Sequence, residues 1–172
     1  MLTTNCYMLG FMGAGKSYIT KRLATHLDLP TLDLDALIEE HAGKTIRQIF
    51  EEEGEAAFRA LEQELLYQTL EQTPTLIALG GGTPIHQNNM DWIKEHGQSI
   101  FLDPPIATLV QRLDKERAKR PLLAALSSEE LEERIARRLE ERRSIYERAD
   151  LCLVLEQEED IIRTCLNFLG IN

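Results

Sequence analysis

Short apolar runs alternate with longer amphipathic stretches along the chain, a pattern that predicts strands feeding helices. Asn5–Leu9 (NCYML) reads as a strand and Lys16–Leu27 as the helix after it. Thr31–Leu34 is a second short strand closed by Asp35, and a helix from Asp35 to His41 stops at Gly43. Thr45 opens a long helix, with Gln48 as its capping-box partner three residues on. Ile46, Ile49, Phe50, Ala57, Phe58, Leu61 and Leu65 recur there at roughly a 3.6-residue period, and Gly54 is a point where the stretch can divide. Thr75–Leu79 (TLIAL) is continuously apolar, as expected of a strand buried on both faces, and it runs into Gly80, Gly81 and Gly82. A helix over Asn89–His96 and a strand over Ser99–Leu102 follow, then the turn Asp103-Pro104-Pro105. Beyond it come a helix holding Leu109, Val110 and Leu113, and a charged helix capped by Ser127 or Ser128 that reaches about Arg148. Strand Leu151–Leu155 and helix Asp160–Leu169 complete the pattern. Strands separated by helices predict an α/β fold with a parallel sheet covered on both faces. No repeat or linker divides the chain, so one domain is expected over residues 1–172.

Composition narrows what such a domain does. Hydrophobic residues make up 43% of 172, enough for a core without disulfide or metal staples. A net charge of -10 argues against a general nucleic-acid binder, which needs a basic face. No apolar run approaches the roughly 18 residues of a membrane span, so no membrane association is expected. The absence of a basic residue before Lys16 and of a cleavage pattern points to a cytoplasmic protein. Cys6, Cys152 and Cys165 lie far apart and outside CxxC spacing, and the apolar runs around Cys6 and Cys152 predict core thiols. Charge is uneven: residues 112–148 sum to +2 and the rest to -12, which suggests a place where an anion is met.

Candidate chemistry starts at Gly10-Phe-Met-Gly-Ala-Gly-Lys16-Ser17, which fits G-x-x-x-x-G-K-[ST] between a strand and a helix. The backbone N–H groups of Gly13, Ala14, Gly15, Lys16, Ser17 and Tyr18 would wrap phosphates at the positive end of the helix. Lys16 would reach the β- and γ-phosphates and the Ser17 hydroxyl would ligate Mg2+, so the chain is expected to bind ATP or another nucleoside triphosphate. The partner acid is expected from Asp33-Leu34-Asp35, whose two carboxylates share a side if the segment is extended. Helix N-capping is the competing use of Asp35, and Asp103 is an alternative metal-side acid at the end of a strand.

In these residues the chain resembles the shikimate kinases. The likeness covers nearly its whole length: G-F-M-G-A-G-K-S at 10–17, D-L-D at 33–35, I-x-x-I-F-x-x-x-G-E-x-x-F-R-x-x-E from Ile46 to Glu62, G-G-G at 80–82, R-P-L-L at 120–123, and Arg142 four residues before Tyr146. The resemblance implies a three-layer α/β/α fold whose five parallel strands run 2-3-1-4-5. It also implies transfer of the γ-phosphoryl of ATP to the 3-hydroxyl of shikimate. Asp35 would bind the shikimate hydroxyls and act as base, and Asp33 would meet Mg2+ through water. Arg59, Arg142 and the Gly81 N–H would hold the shikimate carboxylate, and Arg120 would close over the ATP phosphates. The substrate-binding segment would be about 34–62 and a lid about 112–127, in a monomer.

Each role has a plainer competitor. Arg59 can pair with Glu55 or Glu62 on its own helix. Arg142 lies among Arg137, Arg138 and Arg143, where a solvated basic face is the alternative. The three glycines can be a turn and nothing more, although glycine ending a buried strand suggests something close to the backbone. The alternative function is another small-molecule kinase of this fold, acting on gluconate or a nucleoside monophosphate.

Overall fold

The structure, a computed structural model, describes residues 2–71, 74–115, 127–154 and 157–170. Five parallel strands, β1 (Asn5–Gly10), β2 (Thr31–Asp33), β3 (Leu76–Ala78), β4 (Gly97–Leu102) and β5 (Leu151–Leu153), form one sheet in the order β2-β3-β1-β4-β5. This is the expected order. Every residue of β1 is buried, because it pairs with β3 on one side and β4 on the other and is covered above and below. That position demands apolar side chains at consecutive sites, which Cys6–Leu9 supply, while the buried Asn5 is paired with Thr69 O and Thr75 N–H.

The helices are α1 (Lys16–Leu27), α2 (Leu34–Ala42), α3 (Ile46–Glu52), α4 (Gly54–Gln68), α5 (Asn89–His96), α6 (Ile106–Lys115), α7 (Ser128–Tyr146) and α8 (Glu158–Phe168). Single 3-10 turns occupy Thr69–Glu71 and Thr83–Ile85. Helix α1 packs on β1, β2 and β3 and against α8, while α6 pairs with α7 and α4 gathers α2 and α3. Thr45 and Gln48 form the expected capping box, and Ser127, not Ser128, caps α7 in a second one with Glu130. The long helix after Thr45 does divide, at Glu53 and Gly54.

Three expectations change. Strand β2 ends at Asp33 and helix α2 already includes Leu34, so Asp33 and Asp35 do not share an extended segment. Strand β4 begins two residues early, because Gly97 has no side chain where Asn5 O and the Tyr7 ring approach. Cys152 is exposed where a core thiol was expected: β5 is an edge strand and its middle residue faces out, whereas Cys6 and Cys165 are buried. Arg120 and positions 116–126 of the expected lid lie outside the described residues.

Candidate active site

The carboxyl ends of β1, β2 and β3 carry the loops that hold the candidate chemistry, as the switch point of a parallel sheet requires. After β1 the chain turns through Gly13 (φ 80°) and Gly15 (φ 95°), conformations that a Cβ disfavours. Gly15 caps α1 without any side chain, and no acid lies in the first turn, so no side chain of the helix's own first turn offsets its positive end. Ala14 differs from expectation, since its N–H closes a turn onto Phe11 O at 3.1 Å. Lys16 Nζ lies along the loop and donates to Gly10 O (2.9 Å) and Phe11 O (3.1 Å).

Ser17 and Asp33 meet across the mouth of the loop, with Ser17 Oγ donating to Asp33 Oδ2 at 2.5 Å. The other oxygen of Asp33 accepts from the N–H groups of Asp35 (3.1 Å) and Ala36 (3.3 Å). The N-cap of α2 is therefore Asp33, and the competing use weighed for Asp35 belongs to its neighbour. This frees Asp35. Its carboxyl is pushed up to about 6, first by burial and then by the negative charges of Asp33 and Glu62, with Lys16 opposing.

Gly80–Gly82 is where the remaining groups converge. A Cβ on Gly80 would stand 2.7 Å from Asp35 Oδ1, and one on Gly82 would stand 2.6 Å from Arg59 Nη2. Gly81 lies beside Gly10 O and the Met12 N of the phosphate loop. Its carbonyl accepts from Arg142 Nη1 (3.2 Å) and Tyr146 Oη (2.6 Å), which the i, i+4 spacing on α7 presents together. Gly80 and Gly82 are thus required for close approach, each crowded by a different group, whereas a Cβ on Gly81 would make only ordinary contacts. Arg59 also makes the pairs weighed from sequence, to Glu62 at 2.6 Å and to Glu55 at 3.5 Å. The local pairing and the site position are compatible, because the guanidinium has five donors.

Two assignments resolve against the sequence alternatives. Asp103 is held by Arg143 through Nη1 (2.6 Å) and Nη2 (3.4 Å), so its carboxylate is already occupied. Arg142, next to Arg143, turns instead toward Gly81 and the Phe11 ring. Sequence reasoning missed Arg112, whose Nη1 donates at 3.0 Å to both Gly13 O and Ala14 O. Nothing local marks it, because its partners are nearly a hundred residues away. Among the described residues no cluster of three His, Cys, Asp or Glu could hold a metal. The Ser17–Asp33 pair fits a hard cation such as magnesium, which keeps waters and takes phosphate oxygens.

A Gly82→Ala substitution tests the convergence. The new methyl cannot coexist with the guanidinium as placed, while the turn there (φ -93°) tolerates alanine. The variant should fold and bind a carboxylate-bearing ligand about tenfold more weakly, the scale of one charged hydrogen bond. Unchanged affinity by calorimetry would contradict the placement of Arg59.

Comparison with known proteins meets this geometry. A family model described as shikimate kinase matches residues 12–170. A shikimate kinase of Phocaeicola vulgatus is 38% identical over 157 residues, 91% of this chain and 90% of that protein. The crystal structure of shikimate kinase from Bacteroides thetaiotaomicron has a TM-score of 0.91 at 33% identity, covering 98% of this chain and 99% of that one. Shikimate kinase from Acinetobacter baumannii in complex with shikimate has a TM-score of 0.86 at 31% identity, covering 98% and 93%.

Proposed function

The chain belongs to the shikimate kinase family and phosphorylates the 3-hydroxyl of shikimate at the expense of ATP, and from that premise we propose how its residues divide the reaction. The observation that carries the assignment is the convergence of Asp35, Arg59 and Arg142 on Gly80–Gly82 beside the phosphate loop. One small acceptor with a carboxylate at one end and hydroxyls at the other would fit between them.

Arg59 and Arg142 take the shikimate carboxylate, two guanidinium forks for one anion, with the Gly81 N–H as a third donor. Asp35 binds the hydroxyl end and accepts the proton of the 3-hydroxyl as its oxygen bonds to the γ-phosphorus. The bond from that phosphorus to the bridging oxygen breaks and ADP leaves. Lys16 and the amides of Gly13 and of the Gly15–Tyr18 segment spread the charge of the phosphoryl group in transit. Ser17 would hold Mg2+ directly and Asp33 through water, and the bound ion would supply positive charge beside the phosphates. Arg112 fixes the loop carbonyls so that the neighbouring amides keep their direction, and Arg120, outside the described residues, is assigned to the ATP phosphates on its sequence match alone. The same reading takes the chain as a single-domain monomer acting in the cytoplasm.

A coupled ADP-release assay against shikimate, gluconate and nucleoside monophosphates tests the acceptor, and turnover with shikimate alone is expected. Arg59→Ala should weaken shikimate binding by about 1.5–3 kcal/mol, the scale for charged hydrogen bonds. ATP affinity measured without shikimate should not change. Equal losses for both ligands in calorimetry would refute the carboxylate role.

A further inference from the structure

Glu62 is buried, at 1% exposure, and both of its oxygens are occupied by different donors. Arg59 Nη1 donates to Oε2 at 2.6 Å, and Thr83 Oγ1 donates to Oε1 at 2.6 Å. A carboxylate facing a guanidinium with no competitor tends to settle into two parallel N–H···O bonds. That arrangement would consume two nitrogens of Arg59 and turn its fork inward onto its own helix. The Thr83 hydroxyl competes with the guanidinium for one of the two oxygens.

Thr83 is well placed to do so because it cannot move away. It is completely buried, and its N–H donates to Gly80 O at 3.1 Å. Its carbonyl accepts from Asn89 Nδ2 at 2.8 Å, and Asn89 Oδ1 accepts from Gln63 Nε2 at 2.8 Å. Gln63 follows Glu62 on α4, so the bonds close a ring that returns to the helix carrying Arg59. The outer nitrogens of Arg59 are lightly used among the described residues: Nε makes a 3.5 Å contact with the well-exposed Glu55, and Nη2 lies against Gly82.

We propose that Thr83 is a positioning residue for the acceptor: by holding Oε1 of Glu62 it limits the Glu62–Arg59 pair to one hydrogen bond and leaves the outer edge of Arg59 to the shikimate carboxylate. The proposal rests on shikimate being the acceptor. Thr83 touches no reacting atom and acts through Glu62 and Arg59.

Steady-state kinetics of the wild type, Thr83→Val and Thr83→Ser test it. Valine keeps the shape and removes the hydroxyl, and serine returns it. The KM for shikimate should rise about five- to tenfold in Thr83→Val, the worth of one hydrogen bond, with kcat and the KM for ATP within twofold. Thr83→Ser should return to within twofold of the wild type. Shikimate titrations of Arg59→Ala and of Arg59→Ala with Thr83→Val should agree, because the effect passes through Arg59. If a melt shows that the valine variant does not fold, Thr83→Cys, a weak donor of similar size, carries the same expectation. An unchanged shikimate KM overturns the proposal. So does a parallel rise of both KM values that serine does not rescue, or a further loss in the Arg59→Ala background. Absence of shikimate turnover in the wild type would overturn the function and this proposal with it, and is distinguishable because it precedes any substitution.

Discussion

Lys16→Ala should lower kcat by about 10³-fold with the circular dichroism spectrum unchanged, the scale for removing a charge that stabilises a transferring phosphoryl group. The side chain lies along the loop, donating to Gly10 O and Phe11 O. Lys16 itself is only half-buried and the surrounding fold is held by the sheet and by α1, so the fold should survive. The conformation of the loop rests largely on Gly13 and Gly15 and on the Arg112 bonds to Gly13 O and Ala14 O. ADP release within tenfold of the wild type, in a protein with an unaltered spectrum, would show that the loop does not serve the phosphates as argued.

Asp35→Asn should have two opposite effects. The asparagine cannot accept the hydroxyl proton, so kcat should fall by about 10²–10⁴-fold, the range for a general base. Stability should rise. The carboxyl stands at about 6 in the folded protein against 3.8 in an unperturbed chain, chiefly through burial and the charges of Asp33 and Glu62. Well below pH 3.8 both states hold the proton and the wild type suffers no penalty, and at pH 4 the penalty is still small. Between pH 4 and 6 the folded state keeps a proton that the unfolded chain releases, so stability declines as pH rises through that window. Above it the cost is complete, on the order of 1–3 kcal/mol, and the variant escapes it. Urea denaturation at pH 4 and pH 7.5 should show the two proteins alike at the lower pH and the variant firmer at the higher. Equal stability at both would remove the case for a buried, charge-crowded Asp35. The same carboxyl should make wild-type kcat/KM decline as pH falls through about 6, since the base must be ionised.

Much of this site is written locally. The phosphate loop is legible because its glycines, lysine and serine are contiguous and follow an apolar strand, and α1 and α5 begin and end where their patterns place them. Thr45 with Gln48 is likewise a short-range device. The D-L-D segment shows the limit. Two acids near a strand end are easy to find, but which one caps the helix depends on a single residue of strand length, set by pairing between β2 and β3. Arg112, Thr83 and Glu62 are harder still, because each acquires its role from a partner far away in sequence. The three glycines lie between these cases. Their run at the end of TLIAL signals that something approaches the backbone, while only the packed structure shows Asp35, Arg59 and Arg142 as the groups that do.

The crowding of those glycines has a bearing on inhibitor design. Any single-nucleotide change in a glycine codon that alters the amino acid adds a side chain. At position 80 that side chain meets Asp35 and at position 82 it meets Arg59. A compound whose own carboxylate rests on this turn would bind a surface with few routes to resistance. The changes that push it off would also displace the groups on which turnover depends, so escape variants should arise at the rim, among exposed residues such as Glu55, more often than at the glycines themselves.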